Sequence, residues 1–215
     1  MASTFLPRFA ALAWLLSALS FTGSVALAEV PPKERYYFEL GALTPKPELK
    51  PDALKMATPR VLSEVKRAFE QHPQVIAKLE GAPDPKIDPD GYRRYLSKSQ
   101  INGAFKVTIE LTDATETLSP MPDKPGAQQL EIRVALRMLG THIPDDTLGF
   151  TGRGKAGAKQ EIGAKVVETE RQDTWNQLTE LAVSQAMKTA LEELTLAAKS
   201  KPKPKPASKA APPAH

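Results

Sequence analysis

The chain has 215 residues, no cysteine and a formal net charge of +4. The missing cysteines exclude disulfides, thiolate metal sites and cysteine nucleophiles, so a packed core has to hold the fold together. Removing Arg8 and the five lysines after Ala198 from the 29 basic residues leaves 23 against 25 acids, which argues against a body-wide basic face for nucleic acid.

Residues 1–28 carry Arg8, an apolar run from Phe9 to Phe21, and Ala26 and Ala28 just before Glu29. These are the three parts of a cleaved secretory signal peptide. The apolar run is shorter than the ~20 residues a helical span needs. The expectation is a periplasmic or extracellular protein with no membrane-spanning segment after processing. It is also expected not to be a lipoprotein, because diacylglyceryl attachment needs a cysteine at the new N-terminus.

Tyr36 to Leu43, "YYFELGAL", is aromatic and β-prone and reads as a first strand. "TPKPELKPD" breaks the pattern as a loop. Thr58 suits a helix N-cap and Pro59 the first helical position. Val61, Leu62, Val65, Ala68 and Phe69 then recur at helical spacing until His72-Pro73. A turn from Asp52 through Ala57 is an open extension of this helix, with Pro59 inside it. Gln74 to Leu79 reads as a short second strand, and "YRRYLSK" as a helical turn with Tyr92, Tyr95 and Leu96 on one side.

The next two segments alternate over about ten residues, the mark of half-buried antiparallel strands. In "INGAFKVTIELT", Ile101, Phe105, Val107, Ile109 and Leu111 share a face; in "LEIRVALRML", Leu130, Ile132, Val134, Leu136 and Met138 do. Lys106, Thr108, Glu110, Glu131, Arg133 and Arg137 then form the opposite face. The polar stretch between them, "DATETLSPMPDKPGAQ", reads as a long mobile hairpin tip. "TLGFTGRGKA" reads as a further strand of small residues. Asp173 caps a final helix to Ala198, with Trp175, Leu178, Ala182, Ala186, Ala190 and Leu194 as its apolar stripe. The alanine row in that stripe points to close helix packing, with the sheet favoured over a dimer seam as its partner.

The fold class that follows is α+β: a two-layer sandwich, with a mixed, antiparallel-rich sheet of four or five strands and two main helices on one face. One domain is expected over residues 29–198. Residues 199–215, "KSKPKPKPASKAAPPAH", lack large apolar side chains and read as a disordered tail.

Chemical motifs are scarce. Gly149, Gly154 and Lys155 match a phosphate-binding loop, but Ala156 stands where the hydroxyl should be. No apolar helix follows to face phosphates. His72, His142 and His215 have no metal-ligand spacing. Asp88, Asp90 and Gly91 resemble a calcium loop, yet Lys86 and Ser97 occupy the two ligand positions that define one. Asp145 and Asp146 are adjacent and read as a turn. No catalytic, cofactor or metal residue is nominated, and neither a nucleotide nor a cofactor is expected.

The nominated residues are for interaction. Gly149, Gly152, Gly154 and Gly157 leave the backbone of one strand bare while Arg153, Lys155 and Lys159 project charge. Such an edge invites strand addition, with main-chain hydrogen bonds supplying affinity. Gly152, Arg153, Gly154 and Lys155 are the candidates there, with Arg133 and Arg137 on the polar sheet face.

The order of elements, with "SQINGAFKVTIEL" leading into the long strand and "LAVSQAMKTALEEL" closing the chain, resembles an envelope α/β domain. It is similar to the domain of the curli-secretion-channel lipoproteins, of the penicillin-binding-protein activator lipoproteins, and to the amino-terminal domain of the Tol-system β-propeller protein. The resemblance spans roughly Tyr36 to Leu194 and departs from those families in lacking a lipobox cysteine. It implies a non-enzymatic envelope protein that contacts an envelope protein partner. An alternative is a binder of anionic polymer or membrane through Lys201, Lys203 and Lys205 of the tail.

Overall fold

Alternating side chains build one mixed sheet, and two helices cover its apolar face. The computed structural model describes residues 34–124, 126–163 and 167–200. The predicted leader, and the tail beyond Ser200, lie outside the described residues. The elements are β1 (Tyr36–Pro45), α1 (Pro51–Gln71), β2 (Val75–Ile76), α2 (Pro89–Lys98), β3 (Gly103–Pro120), β4 (Gln128–His142), β5 (Leu148–Ile162) and α3 (Glu168–Ser200). The sheet order is β2-β1-β3-β4-β5. β1 runs parallel to β2 and β3, while β3–β4 and β4–β5 are antiparallel. The α+β class holds, with five strands and both long helices on one face.

Period two in β4 puts Leu130, Ile132, Val134, Leu136 and Met138 into the core. In α1, Ala53, Ala57, Val61, Val65 and Phe69 recur every fourth residue and are all buried. Phe38 stands at the centre of an aromatic cluster, with Phe69 at 5.3 Å, Phe105 at 6.0 Å and Phe150 at 5.2 Å between ring centroids. Fully burying one such large apolar side chain contributes about 1.5–3 kcal/mol.

Several boundaries differ from expectation. α1 takes the extended form left open by the sequence: it starts at Pro51 with Lys50 as N-cap, so Pro59 is inside the helix and Thr58 caps nothing. Its buried stripe runs unbroken past the proline, which outweighs the missing backbone donor. The second strand is only Val75–Ile76. The stretch expected to be a long mobile tip is mostly strand: β3 runs to Pro120 and β4 begins at Gln128. A bulge between Leu111 and Asp113 shifts the phase, so Ala114 rather than residue 113 turns inward. α3 begins at Glu168, not at an Asp173 cap. Its first turns are tied to β3, where Glu116 Oε2 accepts from Trp175 Nε1 at 2.8 Å and from Arg171 Nε at 2.9 Å.

The opposite sheet face is not wholly open either. α2 packs on its β2-β1-β3 end. Tyr92 and Leu96 join Ile101 and Ala104 in a second cluster, with Tyr37, Ile76 and Ile143 against it. Asp88, read from sequence as part of a calcium-loop resemblance, is the N-cap of α2 and accepts from Gly91 N at 2.7 Å.

The seam between α3 and β5 is unusually close. Ala182, Ala186 and Ala190 are fully buried. They lie over Gly152 and Gly154, whose positions leave no room for a Cβ: one on Gly152 would meet the Ala186 carbonyl, and one on Gly154 the Ala182 carbonyl. The alanine row is therefore a helix-on-sheet contact.

Two outcomes are expected. Gly154→Val should lower unfolding free energy by about 3 kcal/mol or more in urea titration, because overpacking here forces a whole helix to shift. Gly157→Ala should cost less than about 1 kcal/mol, since its new methyl crowds only the flexible Arg133 side chain, with Cγ at 3.2 Å, and meets the Ile132 carbonyl at an ordinary 3.5 Å. Burial, together with Glu34, raises the Tyr36 hydroxyl to about 12, and burial raises that of Tyr92 to about 12. Folded values above the unfolded value of about 10 stabilise fully below that pH, and the contribution disappears as pH rises toward 12. The urea midpoint should fall across that window, and Tyr92→Phe should flatten the fall.

Candidate functional site

α3 does more than cover β5; it caps its outer edge. Thr151 N donates to Glu193 Oε2 at 2.8 Å, Arg153 N to Thr189 Oγ1 at 2.8 Å, and Lys155 N to Gln185 Oε1 at 2.9 Å. The fit follows from geometry. Four residues of helix rise about 6 Å, and two residues of strand advance about 6.6–6.8 Å. Acceptors at every fourth helical position therefore meet every second strand N–H. This overturns strand addition along Gly152 to Lys155: the outward donors there are occupied, and Gly152 and Gly154 are buried under α3 instead of bare. Gly149 to Ala156 lies within β5, and all of it past the irregularity at Gly149 pairs with β4, so it does not form a loop opening a helix.

The charged side chains of the same strand turn to the other face of the sheet. Register puts Glu110, Arg137 and Arg153 in one row across β3, β4 and β5, with Ala135 and Lys155 in the next. Lys46 reaches this place because its N–H donates to Leu111 O at 3.0 Å, extending β1 alongside the β3 bulge. The result is a basin of about 590 Å³ lined by Lys46, Glu110, Arg137, Arg153, Lys155 and Gln185, among others. Arg137 Nη2 lies 2.6 Å from Glu110 Oε2. Arg137 Nε is shielded and has no hydrogen-bond partner among the described residues. Lys46, Arg153 and Lys155 form no ion pair among the described residues.

Arg137 and Arg153 are direct cross-strand partners. Like charges placed opposite each other destabilise a sheet, and here two lysines add to them. A concave surface with one carboxylate against four cations is set up for an anion.

Four nominated residues thus converge: Arg137, Arg153, Lys155 and, through its backbone, Gly154. Gly152 lies under α3. Arg133 lies beside Gly157, outside the basin, with Glu131 at 3.5 Å. Sequence reasoning missed Lys46, in a proline-broken loop, and Gln185, on a helical polar face; neither carries a local signal. Lys201, Lys203 and Lys205 lie outside the described residues. A larger groove of about 730 Å³ runs between α1 and α3. Its Arg67 is already engaged by Glu64 at 2.8 Å and Glu180 at 3.1 Å, and no nominated residue lines it.

No protein-family model and no curated protein matches the chain. Solved structures that align with the chain include a Helicobacter pylori protein named for homology to a neuraminyllactose-binding hemagglutinin. It has 8% identity and a TM-score of 0.43, covering 78% of this chain and 91% of that one. A minor lipoprotein from Acinetobacter baumannii has 11% identity and a TM-score of 0.32, covering 72% and 91%. Rare lipoprotein B from Shewanella oneidensis has 8% identity and a TM-score of 0.31, covering 75% and 97%. The last two are lipoproteins by name, whereas this chain has no cysteine, and its expected lack of a lipid anchor rests on the sequence alone. No described helix is long and apolar enough to cross a membrane.

Arg153→Glu should stabilise the free protein by up to about 1 kcal/mol in urea titration, since it turns a like-charge pair into an opposite one. The gain should shrink as salt rises. A loss of stability would mean that Arg153 and Arg137 do not repel in solution.

Proposed function

We propose that the protein is a non-enzymatic interaction module of the bacterial envelope that docks an acidic segment of a protein partner in the Lys46/Arg137/Arg153/Lys155 basin. The observation that carries this reading is the like-charge cluster on the open sheet face, where four cations meet one carboxylate and only Arg137 is paired with it. Export, from the leader read in the sequence, supports the envelope location. A catalytic reading has little to work with in the basin, where the carboxylate Glu110 is engaged by Arg137.

The chemistry suits carboxylates. Arginine guanidinium groups bind them as forks, and lysines add charge without fixed geometry. Association should be fast and salt-sensitive, because the basin focuses a positive field.

A glutamate-rich peptide titrated into the protein should shift the amide resonances of Arg137, Arg153 and Lys155, whereas a lysine-rich peptide should not. The double reversal Arg153→Glu, Lys155→Glu should weaken that binding at least about tenfold, or 1.4 kcal/mol, with the fold intact by circular dichroism. Binding that survives the double reversal would remove the basin from the interaction.

A further inference from the structure

We infer that β5 pairs edge to edge with β5 of a second copy through Lys159 to Glu161, forming an antiparallel dimer with its two-fold axis at Gln160. This does not depend on the basin's ligand. The cap on the β5 edge is incomplete. N–H groups at Thr151, Arg153 and Lys155 point off the sheet and meet α3. The β4–β5 register runs without a shift from Thr151 to Ile162, so Gly157, Lys159 and Glu161 have the same parity and also point their N–H groups outward. The acceptor row Glu193, Thr189, Gln185 continues, four residues on, to Leu181, which has no acceptor and is 59% exposed. α3 then crosses inward over the sheet, to the Trp175–Glu116 contact on β3. Among the described residues, no protein acceptor reaches the last three outward donors of β5.

The occupant follows from the charges. A lone edge lysine deters pairing. Here Glu161 follows Lys159 at the next position of the same parity. In an antiparallel two-fold pairing, Lys159 stands opposite Glu161 of the partner subunit, and Glu161 opposite Lys159 of the partner subunit. Both are mutually hydrogen-bonded positions, and both cross-strand pairs are of opposite charge. The contact is isologous and closed, so it stops at two copies. Within one chain, Lys159 Nζ already meets Glu131 at 3.2 Å and Glu161 meets Lys124 Nζ at 2.6 Å. The seam therefore extends these pairs into a row of alternating sign.

Analytical ultracentrifugation of the purified protein should show a reversible monomer–dimer equilibrium. Amide exchange at Lys159 and Glu161 should slow as concentration rises. Lys159→Glu and Glu161→Lys should each weaken dimerisation at least about tenfold, and the double exchange should restore it. Lys159→Pro should abolish it while sparing the β4 ladder, because that N–H faces outward. A wild-type chain that stays monomeric at all concentrations overturns the inference. So does a dimer that survives both single reversals, or a double exchange that fails to restore pairing.

Discussion

The structure depends on one contact, the backbone of α3 lying directly on the backbone of β5. Gly152 and Gly154 supply the strand side and Ala182, Ala186 and Ala190 the helix side. Small residues on both surfaces let the helix come close enough for its own side chains to reach past the strand and cap the edge. With larger residues at the seam, Gln185, Thr189 and Glu193 would stand too far off to accept from the strand. The edge would then carry free donors along its whole length, a hazard that proteins generally cover or charge.

The seam also decides which surface is left for partners. One face of the sheet is filled by α1 and α3, and one end of the other by α2. What remains is the β3-β4-β5 part of the second face, where Glu110, Arg137, Arg153 and Lys155 project. The charges are not spread evenly. Toward the far end, Glu131 balances Lys159 and Lys124 balances Glu161. Around Arg137 and Arg153 they are left unbalanced. Two arginines opposite each other cost the sheet stability, and that cost is what the proposed docking role would offset.

The fold was legible wherever the apolar period was local. β4 and the α1 stripe follow from their own residues. It was hidden where phase or partner was non-local. The bulge at Leu111/Asp113 moves the inward positions from odd to even, so Asp113 to Pro120 no longer continues the pattern before it and looks like loop. The start of α3 depends on Arg171 and Trp175 meeting Glu116 more than fifty residues away, and no helical signal encodes that. Of the basin, Arg137, Arg153 and Lys155 could be nominated from strand alternation. Lys46 could not, because its place is set by a backbone bond to β3. The capped edge was misread because Gln185, Thr189 and Glu193 look like an ordinary solvated helix face until β5 is placed beside them.

β5 shows why these features belong together. Its even positions from Gly152 to Gln160 face the helix layer and are small up to Ala158: Gly152, Gly154, Ala156 and Ala158. Its odd positions face the open side, carry the charges, and own the outward N–H groups. A slip of one residue against β4 would exchange the two sets. It would push Arg153 and Lys155 under α3 and leave glycines on the open face, losing the seam, the cap and the basin in one step. Register is therefore held by packing, cap and charge at once. That coupling accounts for a strand so rich in glycine, a residue that costs a strand interior its packing and entropy, standing where the backbones of helix and sheet meet.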